Sequence, residues 1–210
     1  MRVIRVPILY TLKRYFLNIS ASALAFGLSS SIANFTSIYL TIYLTKFCNW
    51  PLHKALLLIS SCLIVCSIGT LLSGQFSLKL GASRILNASA VFLLIFIFPL
   101  LFLTNWESFF SVFISQGILN FFLGTFYGAI PKFAFDLFPT HVRYTGVAMS
   151  DALGKSLLGG VAPMAFLYLT SALNAPWGAS FFLIFITVLF LICFWLSTKR
   201  SSKKAIEKKT

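Results

Sequence analysis

Val91-Phe92-Leu93-Leu94-Ile95-Phe96-Ile97-Phe98 carries no polar side chain, and it forms the centre of an apolar run from Ile85 to Thr104. A span needs roughly 20 predominantly apolar residues to cross about 30 Å of hydrocarbon. This run is long enough. Working outward, five more runs also qualify: Leu17–Thr45, Leu52–Phe76, Phe109–Ile130, Thr145–Leu169 and Ser180–Thr198. The sequence therefore predicts an all-α membrane protein with six transmembrane helices. Residues 1–16 form a cytoplasmic N-terminal segment, 17–198 the bundle and 199–210 a basic cytoplasmic tail.

Composition agrees. With 59% hydrophobic and only 10% charged residues, the chain does not read as a soluble domain, and no turn between the runs could fold alone. A net charge of +13 raises the question of nucleic acid, and the placement of the charges answers it. Arg2, Arg5, Lys13 and Arg14 precede the first run; Lys79 and Arg84 lie in the second turn, Lys132 and Arg143 in the fourth. Lys199, Arg200, Lys203, Lys204, Lys208 and Lys209 follow the last run. With the N-terminus in the cytoplasm, all of these face inward, while Lys46 and Lys54 face outward and Lys155 sits inside a span. That is the positive-inside asymmetry. The basic balance reports topology, with both termini cytoplasmic, and no nucleic-acid partner is expected.

Trp50, Trp106 and Trp177 fall in the three outward turns and Trp195 at the inner end of the last run, as expected of indoles at membrane interfaces. The basic start followed by Ala21-Ser22-Ala23-Leu24-Ala25 imitates a signal peptide. The apolar stretch continues to Tyr43, too long for such a segment, so it reads as an uncleaved first span. Cys62, Cys66 and Cys193 lie in spans and Cys48 near the outer face, as small hydrophobes rather than a disulfide framework.

The runs differ in kind. The third and sixth are apolar all round and suit lipid on most sides. In the first, Gly27, Ser30, Asn34, Ser37 and Thr41 share one face; in the fourth, Gln116, Asn120, Gly124 and Tyr127 do, with Gly128 completing a Gly124-x-x-x-Gly128 pair. The second has Gly69 and Ser73, with Ser61, Ser67 and Thr70 more scattered. Small and hydroxyl residues let membrane helices approach closely; for Asn34, Gln116 and Asn120, packing and cavity lining both remain open. The order striped, striped, apolar then occurs twice. Three crossings per unit make the second unit inverted, and inverted three-helix repeats are a transporter architecture with sites near the midplane.

The fifth run holds Asp151 and Lys155, four apart on one helical face and well inside the hydrocarbon. Each costs about 3 kcal/mol at a helix centre on insertion scales. Such residues pair with one another or face a wet cavity. One reading gives Lys155 a substrate carboxylate and Asp151 a proton or counter-ion; the other is a self-neutralising pair.

Asp136-Leu137-Phe138-Pro139-Thr140-His141-Val142-Arg143-Tyr144-Thr145-Gly146 resembles the stretch between helices ten and eleven of the metabolite:proton symporters of the major facilitator superfamily. Gly159-Gly160-Val161-Ala162-Pro163 and Gly124-x-x-x-Gly128-x-x-Pro131 are similar to further motifs of that family. The resemblance covers nearly the whole chain and implies helices seven to twelve of a twelve-helix fold, with the apolar third and sixth runs outside the cavity. Two departures stand out. The family's gating loop, Gly-x-x-x-Asp-Arg-x-Gly-Arg-Arg, here reads Gly74-Gln75-Phe76-Ser77-Leu78-Lys79-Leu80-Gly81-Ala82-Ser83, so Lys79 survives without the acid or the arginine pair. Near Asp151 and Ala152 the family's aromatic and amide are missing, so substrate contacts do not carry over.

The resemblance implies half of a proton-coupled symporter for a small metabolite, such as proline, betaine or an organic acid, in a bacterial inner membrane. Asp151, Lys155, Asn34, Gln116 and Asn120 are the candidates for the substrate and proton pathway; Arg143, Asp136 and Lys79 are the candidates for gating. His53 and His141 stand near opposite surfaces with no partner set. No nucleophile–base set, metal cluster or phosphate loop is seen, so neither an enzyme nor a cofactor is expected. Met1 falls where a central loop would enter helix seven, which implies a fragment or split half needing a six-helix partner, with a second copy as the other option. A non-transporting membrane scaffold is the rival reading.

Overall fold

The computed structural model describes residues 12–103, 108–173 and 175–207. Its described residues are helical, joined by short turns, with no strand among them. We number the helices α1 (Phe16–Lys46), α2 (Leu52–Phe76), α3 (Ala82–Leu103), α4 (Phe109–Leu137), α5 (Arg143–Leu173) and α6 (Ala179–Glu207). Because α2 and α3 run on through Ser77–Gly81, the described residues form five continuous helical stretches long and apolar enough to cross a membrane. The chain is a multi-pass membrane protein.

The joined stretch of 52 residues, Leu52–Leu103, would be about 78 Å long if straight. It doubles back instead. Ser73 Oγ donates to the Thr125 carbonyl at 2.7 Å, and Thr125 Oγ1 meets Ser89 Oγ at 2.9 Å, so α2 and α3 both lie beside the same level of α4. The reversal falls on a π-helical turn, Ser77–Gly81, ending on Gly81 at φ 91°. That is left-handed backbone which glycine tolerates. The sequence reads a loop here, but hydrogen bonding continues through it.

Two further boundaries differ from the apolar runs. α4 passes Ile130 and Pro131 and stops at Leu137, where Phe138 turns extended (φ −112°, ψ 135°). Phe138 precedes Pro139, and a residue before proline is disfavoured in helical conformation. α6 continues through much of the basic tail to Glu207. Backbone geometry ends α4, whereas apolarity ended its run.

α1 and α4 pack together at the centre. α1 also packs against α5 and α6, α4 against α2 and α3, and α3 against α6. Two glycine seams make the closest approaches. A Cβ on Gly69, Gly124 or Gly128 would strike the backbone of the facing helix in the α2–α4 seam, and one on Gly27, Gly154 or Gly159 would strike α5 or α1 atoms in the other seam. Small residues at such interfaces let backbones meet, which is how membrane helices gain packing without a hydrophobic drive. α2 buries a single stripe, Ala55, Leu58, Cys62, Cys66, Gly69 and Ser73, and leaves its other side open. α5 is the least covered stretch of all.

One end of the bundle gathers the charges. Lys132 Nζ donates to the Ser77 carbonyl at 3.0 Å, Asn18 Nδ2 to the Leu137 carbonyl at 2.7 Å, and Ser197 Oγ to Asn18 Oδ1 at 3.5 Å. These bonds hold the start of α1, the α2–α3 turn and the ends of α4 and α6 together. Lys13, Arg14, Lys79, Arg84, Lys132 and Arg143 thus share this end, and Lys46 and Lys54 mark the other. Trp50, expected at an interface, is buried and stacks on Phe109, with Lys54 Nζ 4.1 Å from its ring centroid. Trp106, Arg2, Arg5 and the side chains of the lysine-rich tail fall outside the residues described.

Candidate functional site

α5 is α-helical over Arg143–Leu153, widens into a π-helical stretch at Gly154–Gly159, and resumes at Gly160. Pro163, expected to interrupt the hydrogen bonding, sits within the resumed helix; the irregular stretch ends four residues before it. The chemistry explains the offset. Proline has no N–H to give the carbonyl four residues back, and here that carbonyl belongs to Gly159. Asn34 Nδ2 of α1 donates to it at 2.8 Å. A side chain 125 positions away fills the bond that Pro163 leaves empty. π-helical insertions concentrate at functional sites, and this one begins between Asp151 and Lys155.

Lys155 Nζ lies 2.7 Å from Asp151 Oδ1, an ion pair within one helix, whose side chains are 51% and 38% exposed respectively. That oxygen is itself buried, and among the described residues the ammonium is its one polar neighbour. Lys155 Nζ is also 5.7 Å from the Phe26 ring centroid on α1. The pair therefore stands on the uncovered flank of α5, at the edge of the glycine seam, and is open to whatever lies beside it. A fixed dipole of this kind can hold a carboxylate at the ammonium, a cation at the carboxylate, or a proton on the carboxylate once the lysine turns away.

The other predicted residues are elsewhere. Gln116 and Asn120 lie in the bundle interior, 0% and 2% exposed. Asn120 Nδ2 donates to the Gln116 carbonyl at 2.9 Å. Both amide atoms of Gln116 and Asn120 Oδ1 have no partner. They do not share the open flank with Asp151 and Lys155. Asn34 is spent on the Gly159 carbonyl.

Of the gating candidates, Arg143 Nε donates to the Phe138 carbonyl at 3.2 Å, Asp136 is exposed, and the two do not form an ion pair. The last carbonyls of a helix lack intrahelical partners, so an arginine just beyond the end of α4 finds an acceptor there. Lys79 is exposed in the π-helical turn. Gly146 belongs to the same corner: a Cβ there would strike the Phe138 ring, which ties both ends of the quoted stretch together.

Four residues contribute bonds that the sequence pattern does not announce. Lys132 was counted only as a topology charge, yet it bonds the Ser77 carbonyl and pins the α2–α3 reversal to α4. Asn18 was not singled out. Tyr39 and Thr170 share a buried hydroxyl hydrogen bond at 2.7 Å across 131 positions, which no local pattern announces.

Comparison with known proteins gives a consistent answer. The chain is 22% identical over 196 residues to a "Putative proline/betaine transporter" of Staphylococcus aureus strain MSSA476, covering 93% of this chain and 42% of that protein. It is 23% identical over 181 residues to a protein of the same name from Staphylococcus haemolyticus, covering 86% of this chain and 39% of the other. It is 28% identical over 173 residues to the sialic acid transporter NanX of Escherichia coli K12, covering 73% of this chain and 41% of the other. The chain thus spans about two fifths of the length of the curated relatives it matches. These relatives are transporters rather than enzymes, in keeping with the resemblance to major facilitator symporters read from the sequence. No family model matches the chain. No solved structure matches it.

Proposed function

We propose that this chain is the C-terminal half of a proton-coupled symporter for a small metabolite, of the proline, betaine or organic-acid kind, in a bacterial inner membrane with both ends cytoplasmic. Asp151 and Lys155 are its substrate and proton groups. The observation that carries the reading is the ion pair on the open flank of α5, in a chain similar to transporters over most of its length. A pair that only neutralised itself would lie more cheaply inside the bundle or at the interface.

Helix pairing supports the inverted repeat. Exchanging α1, α2 and α3 with α4, α5 and α6 turns the α1–α5 seam into the α4–α2 seam and the α1–α6 packing into the α4–α3 packing. The α1–α4 and α3–α6 contacts map onto themselves. In such folds one bundle rocks against another around a shared site. The open sides of α2 and α5 are where a second six-helix unit would pack, and the relatives' greater length leaves room for one.

Uptake of labelled proline, betaine or sialic acid tests this in transporter-deleted cells, with the chain co-expressed beside a six-helix partner. Asp151→Ala, Lys155→Ala and the double variant should each lose at least ten-fold in uptake at unchanged membrane abundance. If the double variant regains near-normal transport, the charges serve only each other and the site assignment fails.

A further inference from the structure

A second feature lies at the basic end of the bundle. α1, α5 and α6 line a groove of about 400 Å³ whose α1 wall runs from Phe16 through Ala23 to Leu24, with Leu12 on the turn before the helix. Leu157 of α5 and Cys193 of α6 complete it. The helical part of that wall, Phe16–Leu24, rises about 12 Å, most of the ~15 Å of one leaflet's hydrocarbon. Its one hydroxyl, Ser20, already donates to the Phe16 carbonyl at 3.0 Å and offers nothing to a polar solute. The walls suit a single hydrocarbon chain.

The mouth is different. Lys13, exposed, follows directly on the lining residue Leu12, with Arg14 beside it. The acidic group nearest in sequence to the lining, Asp151, is paired with Lys155. An apolar groove about 12 Å long that opens beside Lys13 and Arg14 matches a lipid with a negative headgroup, since basic pockets between helices take such headgroups.

We infer that this groove is a binding site for one anionic phospholipid, with an acyl chain between α1, α5 and α6 and its phosphate at Lys13. Charge selects the headgroup and the groove holds the tail.

Native mass spectrometry of the full chain, released from micelles with equal phosphatidylglycerol and phosphatidylcholine of the same acyl length, tests both parts. The wild-type chain should retain one phosphatidylglycerol in at least ten-fold preference. Lys13→Glu, an exposed position, should reduce that preference to two-fold or less while folding normally. Ser20→Trp should lower retention of both lipids. Equal retention of the two lipids by the wild-type chain, or an unchanged preference in Lys13→Glu, overturns the site. So does loss of the lipid on co-expression of a six-helix partner, which would mean that protein covers the groove.

Discussion

The α2–α4 and α1–α5 seams use the same packing device and differ in what is added to it. In each, three glycines bring two helices so close that any side chain would collide with backbone or side-chain atoms opposite. The α2–α4 seam is cross-linked by Ser73 to the Thr125 carbonyl and, at its end, by Lys132 to the Ser77 carbonyl. The α1–α5 seam has the π-helical stretch, a carbonyl left open by Pro163 and filled by Asn34, and an ion pair at its edge. Packing alone requires neither an ion pair nor a π-helical stretch within the seam, because its counterpart has neither among the described residues. The difference separates what holds the bundle together from what the bundle is for.

The largest expected effect tests the shared part. Gly124→Leu places a side chain into the Cys66 carbonyl and the Thr70 amide, and Gly154→Leu does the same to Ala23 and Gly27. Overpacking that backbone cannot absorb costs about 3 kcal/mol. Both variants should show that loss in thermal melts in detergent and fall in membrane abundance. A tolerated leucine at either glycine would mean that its seam is not close-packed.

The next effect is smaller and belongs to α1–α5 alone. Asn34→Leu leaves the Gly159 carbonyl without its donor, and an unsatisfied buried acceptor costs about 1–3 kcal/mol. Pro163→Ala restores an N–H four residues on from that carbonyl. The pair should therefore be non-additive, with Asn34→Leu/Pro163→Ala more stable than Asn34→Leu. Additive losses in a double-mutant cycle would show that the asparagine and the proline are unrelated.

The same comparison shows how far the sequence could be read. The small-residue faces with Gly27, Gly69, Gly124 and Gly128 were legible, because glycine and serine at helical spacing have few other uses in a span, but neither Gly154 nor the pairing of the faces into seams was. The apolar runs were visible because lipid admits little else. Long-range polar bonds were not: Asn34 shares a stripe with Ser37 and Thr41, and nothing local says that its amide meets a carbonyl across the bundle while theirs bond their own helix. Gln116 and Asn120 lie on a similar stripe and turn inward. Periodicity gives the face of a helix but not which neighbour covers it. Arg143 was matched with Asp136 on charge, whereas the nearer attraction is a helix-end carbonyl. Asp151 and Lys155 were read as a pair, because four-residue spacing alone brings such side chains together.

The smallest expected effect is the most informative about what lies beside α5. Asp151→Ala/Lys155→Ala removes both charges, and its effect on stability depends on what the exposed side chains face. Beside lipid, each charge costs about 3 kcal/mol at mid-depth, so the neutral variant should gain several kcal/mol and insert more fully. Beside water or a polar partner, an exposed pair contributes about 0–1 kcal/mol, and the double variant should melt within about 1 kcal/mol of the parent. The second outcome is expected, alongside the uptake loss predicted above: nearly silent for folding, costly for transport. A gain of several kcal/mol would place the pair against lipid, and α5 would then differ from α2 in its charges without differing in its use.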